Sequence, residues 1–361
     1  MTFLNFKKIN YLFHSINCAG GGGNLDELEE LALILKKENL RIPLKKIKEF
    51  NDEDYIIGYG RIGRPGVKGD LIRNLKEAPL KAVEHLLSFQ GVSFSKLKGF
   101  FPIEAVAGQF ARAGRAFLVL QKNYPSLSMV DADLGGGRAV PDFFLIVNVE
   151  KVAQYPFCVI LVTERKNKLF FKYKIIKEKD PYILGKKLRK TAVQSKIGVS
   201  WTAGPLMKIK EAKKILAQNT LSNAIERGRR LFLKKKAGRG ILRAKIIEIK
   251  KEEIPGFFQN LVVLEDKKKE KYFLVWRNEF VILYKKNQIL VKPPRIICLI
   301  DAFKNLPIQG NFLKKGMKVK VVVADPIFVI KNPQKRQEWL NQWRVYFEKE
   351  KRKGYWHFPL F

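Results

Sequence analysis

The chain has 361 residues, of which 46% are hydrophobic, so it is long and apolar enough for two domains with separate cores. This composition excludes an intrinsically disordered chain. No apolar run approaches the roughly 20 residues that a membrane helix needs, so we expect no membrane span. The cysteines and histidines lack ligand spacing, which predicts neither a disulfide framework nor a histidine-built zinc site. A reducing cytoplasm fits best.

The formal net charge is +36, from 70 Lys and Arg against 34 Asp and Glu. One interpretation is an acidic partner, such as nucleic acid or another polyanion. The other is a basic surface suited to an unusual cytoplasm or growth temperature. Residues 166–250 are the most basic and predict helices with one apolar and one lysine-rich face. Because charge governs association rather than fold, both interpretations stay open.

The chain begins with two helical patterns separated by glycines. Apolar residues recur at helical spacing over residues 4–17 and again over 25–37. Asn24 is an N-cap candidate for the second helix, and the acids that follow it suit the positive end of that helix. The first motif is therefore helix, glycine loop, helix.

Strand and helix patterns then alternate as far as about residue 235. This alternation predicts an α/β domain over residues 1–235, with a three-layer arrangement. Predicted strands cover residues 55–58, 99–103, 127–131, 143–147 and 157–162. Predicted helices cover residues 71–89, 105–121, 181–196, 205–217 and 221–233, with Pro205 in a first turn.

The character of the sequence changes at a Lys/Gly-rich stretch over residues 234–240. Short β-rich segments separated by turn residues follow, which predicts a small β-barrel over residues 240–330. A charged helix and tail follow over residues 333–361. The predicted strands of the barrel are 241–249, 257–264, 271–276, 280–285, 288–291, 296–299 and 317–323.

The glycine run is the first candidate for binding chemistry. Glycine backbones approach ligands closely, and the helix N-terminus beyond them offers free N–H groups. Such groups hold a carboxylate, a phosphate or a developing oxyanion. The alternative is a flexible interhelical turn. A helix precedes the run, so it does not fit a dinucleotide fingerprint. The predicted substrate-binding residues here are Gly20, Gly21, Gly22, Gly23 and Asn24.

A second candidate lies at the end of the strand predicted over 127–131. Asp131 and Asp133 are spaced by one residue, and a glycine run with Arg138 follows. Paired carboxylates share a proton or hold a divalent metal such as Mg²⁺. Arg138 would neutralise one of them or bind an anionic substrate. The alternative is a solvated turn with an aspartate cap and a structural ion pair.

Glu104 is the third candidate, at a predicted strand-to-helix junction. Burial would raise its pKa and make it a general base. The alternative is an acid that is stabilised by the N-terminus of the following helix.

These motifs occur in the order found in the S-methyl-thiohydantoin desulfurase family, which the chain resembles over roughly residues 8–330. The match includes the glycine run, the Pro-Ile-Glu segment that ends at Glu104, and the Asp-Ala-Asp stretch before Arg138. Later matches are Asn278-Glu279 and the segment 295–301. Ala19 and Asn24 replace the Thr and Asp that flank the glycines in the family. The resemblance implies a three-layer α/β domain, a β-barrel and hydrolytic removal of a thiol from a thiohydantoin-type ring.

The sequence as a whole therefore favours a hydrolase-like enzyme for a small cyclic amide or thioamide. Water would attack the ring carbon, with Glu104 or Asp131 activating it and Asp133 as a further catalytic residue. The glycine amides would stabilise the oxyanion, and Arg138 would orient the ring. No cofactor is certain, and a divalent metal and a homo-oligomer are options. The alternative is a non-catalytic basic protein that binds an acidic partner.

Overall fold

The computed structural model describes residues 2–21, 25–63, 78–165, 168–195, 199–233, 238–254 and 257–359. Three predicted substrate-binding residues, Gly22, Gly23 and Asn24, lie outside these ranges, as does most of the predicted linker.

The described helices and strands follow the chain in this order. The α-helices are α1 Phe6–Cys18, α2 Leu25–Lys37, α3 Ala78–Phe89, α4 Ala107–Asn123, α5 Val149–Val152, α6 Pro181–Val193, α7 Ile209–Ile215, α8 Thr220–Phe232 and α9 Pro333–Arg352. The strands of the first part are β1 Thr2–Leu4, β2 Ile42–Lys45, β3 Tyr55–Gly63, β4 Leu97–Pro102, β5 Ser128–Val130, β6 Ala132–Asp133, β7 Phe157–Arg165, β8 Lys168–Ile176, β9 Val199–Lys208 and β10 Ala217–Gln218. The later strands are β11 Arg239–Ile254, β12 Phe257–Asp266, β13 Lys271–Arg277, β14 Glu279–Lys285, β15 Gln288–Val291, β16 Ile296–Asp301 and β17 Lys318–Ala324.

A large mixed sheet organises the first part of the molecule. Its strand order within the described residues is β1-β2-β5-β4-β3-β9-β7-β8. Strands β2, β5, β4 and β3 run parallel to one another, whereas β9, β7 and β8 continue the sheet antiparallel. The carboxyl ends of the parallel strands therefore meet at one edge, which is where ligands usually bind in such sheets.

Both faces of this sheet are buried. Consecutive residues of one strand enter different cores: Ile57 and Phe100 face one cluster, while Ile56 and Phe101 face the other. Helices α3 and α4 pack on the first face, and α6 and α7 pack on the second. Such burial on both sides explains why these strands read as continuous apolar runs.

The C-terminal part is a seven-stranded antiparallel sheet in the order β15-β14-β13-β12-β11-β17-β16. Strand β14 also approaches β16, so the sheet curls into a half-barrel around its own apolar core. Turn-bounded strands at close spacing led us to expect a β-rich unit here. The mixed α/β fold with a curled C-terminal sheet is thus confirmed.

The strand predicted over residues 143–147 is wrong. Phe143–Leu145 forms a short 3₁₀ helix, which the Asp142 carboxylate caps by accepting from the Phe144 amide. The indole N–H of Trp339 donates to the Leu145 carbonyl at 3.1 Å, so a side chain of α9 replaces a neighbouring strand. A short apolar run is buried in either conformation, and periodicity alone does not separate them.

Two further local predictions need correction. Pro205 lies within β9 rather than in a helix, and the helix begins only at Ile209. Because this segment lies between β3 and β7 inside the sheet, it forms a strand despite its helical pattern. The lysine-rich stretch around Lys172 and Lys174 forms edge strand β8 with both lysines exposed, an arrangement that discourages further strand pairing.

Helix α9 packs against the second core rather than extending into solvent. Its buried side chains are Trp339, Trp343, Tyr346, Phe347 and Glu350. Among the described helices, none is long and apolar enough to cross a membrane.

Candidate functional site

Three predicted acids lie at the carboxyl edge of the parallel strands. Glu104 follows β4, Asp131 follows β5 and Asp133 ends β6. All three are buried, with exposed fractions of 8%, 2% and 0%. Since isolated carboxylates are unstable in such surroundings, each must be bound by donors or be protonated.

Asp133 is bound by backbone amides on both sides. Its Oδ2 accepts from the Ala105 amide at 2.7 Å, and its Oδ1 accepts from the Gly136 and Gly137 amides at 2.9 and 3.1 Å. Burial raises the pKa of Asp133 to about 7, and these amides oppose the rise. The carboxylate thus fastens the loop around Gly136 to the start of α4.

Glu104 lies beside Asp133. A Cβ on Gly135 would be 3.4 Å from Cγ of Glu104 and 3.5 Å from Oδ2 of Asp133. Burial raises the pKa of Glu104 well above its ordinary value, and the charges of Asp133 and Glu279 raise it further. Burial thus favours the neutral form of Glu104, which is the form that can donate a proton.

Asp131 is bound to helix α8 instead. Its Oδ1 accepts from the Ser222 amide at 3.0 Å, and its Oδ2 accepts from the Ser222 hydroxyl at 2.5 Å. Burial raises its pKa, and these hydrogen bonds oppose the rise. Asp131 and Asp133 thus bind different donors. In the ranges that the structure describes, no group of three or more His, Cys, Asp or Glu side chains is arranged to hold a metal.

Arg138 joins the α/β part to the half-barrel. Its Nε donates to Oε1 of Glu279, the first residue of β14, at 2.7 Å, and its Nη1 donates to the Pro294 carbonyl at 3.1 Å. The guanidinium lies 4.9 Å from the ring centroid of Trp343. Because Glu279 also raises the pKa of Glu104, we group Glu104, Asp133, Arg138 and Glu279 as the acidic cluster.

Gly20 lies against the same strand, whereas Gly21 lies against Gln309. The Ala19 carbonyl accepts from the Phe280 amide at 3.1 Å, and the Gly20 carbonyl accepts from the Gly310 amide at 3.2 Å. Gly20 and Gly21 have φ of +95° and +80°, which favours glycine. Phe280 directly follows Glu279, so β14 carries both the glycine contact and the partner of Arg138. The contacts of Gly22, Gly23 and Asn24 lie outside the described residues.

A second buried polar group was missed by sequence reasoning; we call it the arginine cluster. It consists of Glu27, Arg61, Gln109 and Arg112. Nη2 of Arg112 donates to Oε1 of Glu27 at 2.5 Å, and Nη1 of Arg61 lies 3.6 Å from the same oxygen. Gln109 bonds to the backbone of Arg61 through both ends of its amide. The sequence signal for this cluster was the position of Glu27 next to Leu28, on the apolar face of a helix. An acid that is buried at such a position requires a partner.

Comparisons with known proteins agree along almost the whole chain. The S-Me-THD-like N-terminal domain matches residues 15–172, and the S-Me-THD-like C-terminal domain matches residues 179–334. A crystal structure of a protein from Chromobacterium violaceum is similar, with a TM-score of 0.63 and 19% identity over 95% of this chain and 96% of that one. At this identity the likeness shows the fold alone. None of the curated proteins compared matches the chain. Since both family domains match in order, the chain belongs to the S-methyl-thiohydantoin desulfurase family.

Proposed function

We propose that the protein is a hydrolase for a small cyclic amide or thioamide of the thiohydantoin type, with the acidic cluster and the glycine segment, residues 20–24, as its site. The observation that carries this proposal is Glu104, a carboxyl that is buried at the carboxyl edge of the parallel strands and whose pKa burial raises. Family membership supports the choice of substrate class. A raised pKa in a strand-end site is the property that a general acid requires at neutral pH.

In the proposed reaction, water adds to the ring carbon that carries the alkylthio group. The new C–O bond forms, the C–S bond breaks, and the sulfur leaves as a thiol with the proton of Glu104. The resulting Glu104 carboxylate then takes the proton that water loses, which restores the neutral acid. Charge that develops on the ring during addition is stabilised by backbone amides of the glycine segment. One such donor contributes about 3 kcal/mol to lowering the barrier.

The contacts of the other predicted residues support positioning roles. Asp133 receives three amide bonds and holds the loop beside Glu104. The carboxylate of Asp131 already accepts hydrogen bonds from the amide and the hydroxyl of Ser222. The guanidinium of Arg138 is bound to Glu279, so we infer that it fixes β14 under the glycine segment rather than binding the ring. Gly22, Gly23 and Asn24 keep the substrate-binding role expected from the sequence.

We infer that the helices on the two sheet faces make a three-layer α/β domain over residues 1–235. The half-barrel then represents the β-barrel domain of residues 240–330, and α9 and the residues after it the C-terminal unit. A cytoplasmic enzyme with a small-molecule substrate is consistent with this fold and with the proposed reaction.

Thiol release from S-methyl-thiohydantoin tests the function, with the thiol measured colorimetrically. We expect Glu104→Gln to lower kcat by 10²–10⁴-fold. The matched control Glu150→Gln, at an exposed position, should leave kcat unchanged. Full activity of Glu104→Gln would contradict the assignment of the acid. An inactive wild-type protein that nevertheless binds hydantoins in a thermal-shift assay would indicate a binder without this catalysis.

One observation favours the alternative function, binding of a polyanion. A groove of about 570 Å³ between α7, α8 and the start of α9 is lined by Lys213, Lys214, Lys331 and Lys335. If this groove binds polyanions, a fluorescent oligonucleotide should bind with a steep salt dependence. Lys331→Glu with Lys335→Glu should then lower the affinity. Binding unaffected by these changes would leave the net charge as a general surface property.

A further inference from the structure

A pocket separate from the acidic cluster lies between α2 and α4, against the first face of the large sheet. Its volume is about 470 Å³, and its lining includes Ile34, Leu40, Tyr59, Arg112, Arg115 and Trp201. No member of the acidic cluster is among the described residues that line it. This volume is typical of pockets for small organic molecules. We call it the α2–α4 pocket.

Buried donors line this pocket without acceptors. Tyr59 is 0% exposed and Arg112 5%. The Tyr59 hydroxyl and Nε of Arg112 have no hydrogen-bond partner within the described part of the protein. Arg112 uses Nη2 for Glu27, so the arginine cluster leaves its Nε unused. Leaving such groups buried and unpaired is unfavourable, which points to a ligand that accepts hydrogen bonds.

Tyr59 and Arg112 both line the pocket, and their charges interact. The charge of Arg112 favours ionisation of Tyr59, which partly offsets the rise in the pKa of Tyr59 that burial causes. Nε of Arg115 lacks a hydrogen-bond partner among the residues described and adds a third donor. Glu38 is the one carboxylate in the described lining, and it is exposed. Arg112 is paired with Glu27 and Arg115 with Glu30, so within the described residues the pocket offers unused guanidinium N–H donors rather than unpaired charge, and such donors favour an anionic acceptor.

Most of the remaining lining is apolar, and Gln121 and Lys122 are its other described polar members. Ile34, Leu40, Ala116 and Val119 line one side, and the indole of Trp201 lines the sheet side. A fully polar anion such as phosphate would leave this surface uncovered, whereas an apolar group would bury it. We propose that the α2–α4 pocket binds a small carboxylate with an apolar body, whose oxygens accept hydrogen bonds from Tyr59 and Arg112.

Calorimetric titration of the full chain tests this proposal. The probes are acetate, benzoate and 3-phenylpropionate, with 3-phenylpropan-1-ol as the neutral counterpart of the last. We expect 3-phenylpropionate to bind more tightly than acetate and than the alcohol. Tyr59→Phe should weaken carboxylate binding about tenfold, because one hydrogen bond to a charged group is lost. Tyr272→Phe, on the half-barrel, is the matched control and should bind like the wild type.

A second variant separates the pocket from effects on folding. Val119→Phe adds a ring to the pocket wall and should abolish binding of 3-phenylpropionate, while the thermal unfolding temperature shows that the chain is folded. Saturable binding to none of the three carboxylates would overturn the proposal. So would equal affinities for 3-phenylpropionate and its alcohol, or unchanged binding in both Tyr59→Phe and Val119→Phe.

Discussion

The acidic cluster and the arginine cluster are both buried near the carboxyl edge of the large sheet, yet they manage charge differently. In the acidic cluster, Glu104 and Asp133 have raised pKa values, so protons reduce the charge. In the arginine cluster, burial lowers the pKa of Arg61 only to about 9, so Arg61 stays charged at pH 7; burial also lowers the pKa of Arg112, and Glu27 opposes both shifts. The two buried guanidiniums are therefore stabilised by the carboxylate of Glu27.

The difference teaches which group is suited to chemistry. A cluster whose charge is set by protons changes state near neutral pH and can exchange a proton with substrate. A cluster whose charge is set by a counter-ion is fixed, and removing that ion leaves buried charge behind. We therefore expect the arginine cluster to dominate stability and the acidic cluster to dominate pH dependence.

Loss of Glu27 should have the largest effect. Glu27→Gln leaves Arg61 and Arg112 buried without their shared carboxylate, so we expect a loss of about 4 kcal/mol in the free energy of unfolding. Urea unfolding at pH 7 measures it. Glu29→Gln, exposed on the same helix, should change stability by less than about 0.5 kcal/mol. A loss below about 1 kcal/mol for Glu27→Gln would contradict the difference between the clusters.

Loss of Arg138 should cost less, because its partner can be neutralised. Burial raises the pKa of Glu279, and Arg138 opposes that rise. In Arg138→Gln, Glu279 takes up a proton, so we expect a loss of about 2 kcal/mol at pH 7 and a smaller one at pH 5. Urea unfolding at both pH values measures this. Equal losses at the two pH values would show that Glu279 stays ionised.

The acidic cluster should also make stability depend on pH. Glu104 and Asp133 have folded pKa values above their unfolded values, so the folded state binds more protons. Their contribution is fully present below about pH 4 and is lost as pH rises through the folded values, near 7 for Asp133. Between pH 5 and 7, the unfolding free energy should fall by about 1.4 kcal/mol per pH unit for each such proton.

The matched comparison is Glu104→Gln combined with Asp133→Asn, which should flatten this dependence. Glu150→Gln, exposed, should keep the wild-type slope. A wild-type unfolding free energy that rises between pH 5 and 7 would show that the carboxyls are ionised in the folded state.

The smallest effect is expected at the boundary of the acidic cluster. Ser222→Ala removes the hydroxyl bond to Asp131 but keeps the amide bond, so we expect a loss of about 1 kcal/mol. Thermal unfolding measures it, with Ser126→Ala as an exposed control. A loss above about 3 kcal/mol would mean that the Ser222 hydroxyl is the main support of Asp131.

The acids Glu104 and Asp131 and the glycines were recognisable in the sequence because each lies where a strand or helix periodicity ends. Glu104 and Asp131 follow strands, and the glycines interrupt two helical patterns. The half-barrel strands were predictable for the same reason, since turn residues separate short runs with a strand period. Their chemical roles were left open, because protonation depends on burial and on neighbours that no local pattern names.

What the sequence by itself determined is therefore local: helix and strand periods, glycine breaks and the order of the family motifs. The tertiary structure alone decided the partners. Arg138 pairs with Glu279, 141 residues away, and Arg112 with Glu27, 85 residues away. It also placed residues 143–147 in a 3₁₀ helix against α9 instead of a strand. The reason is physical: periodicity states which face of an element is buried, but the charge state and the contacts of a buried group are set by whatever chain packs against it.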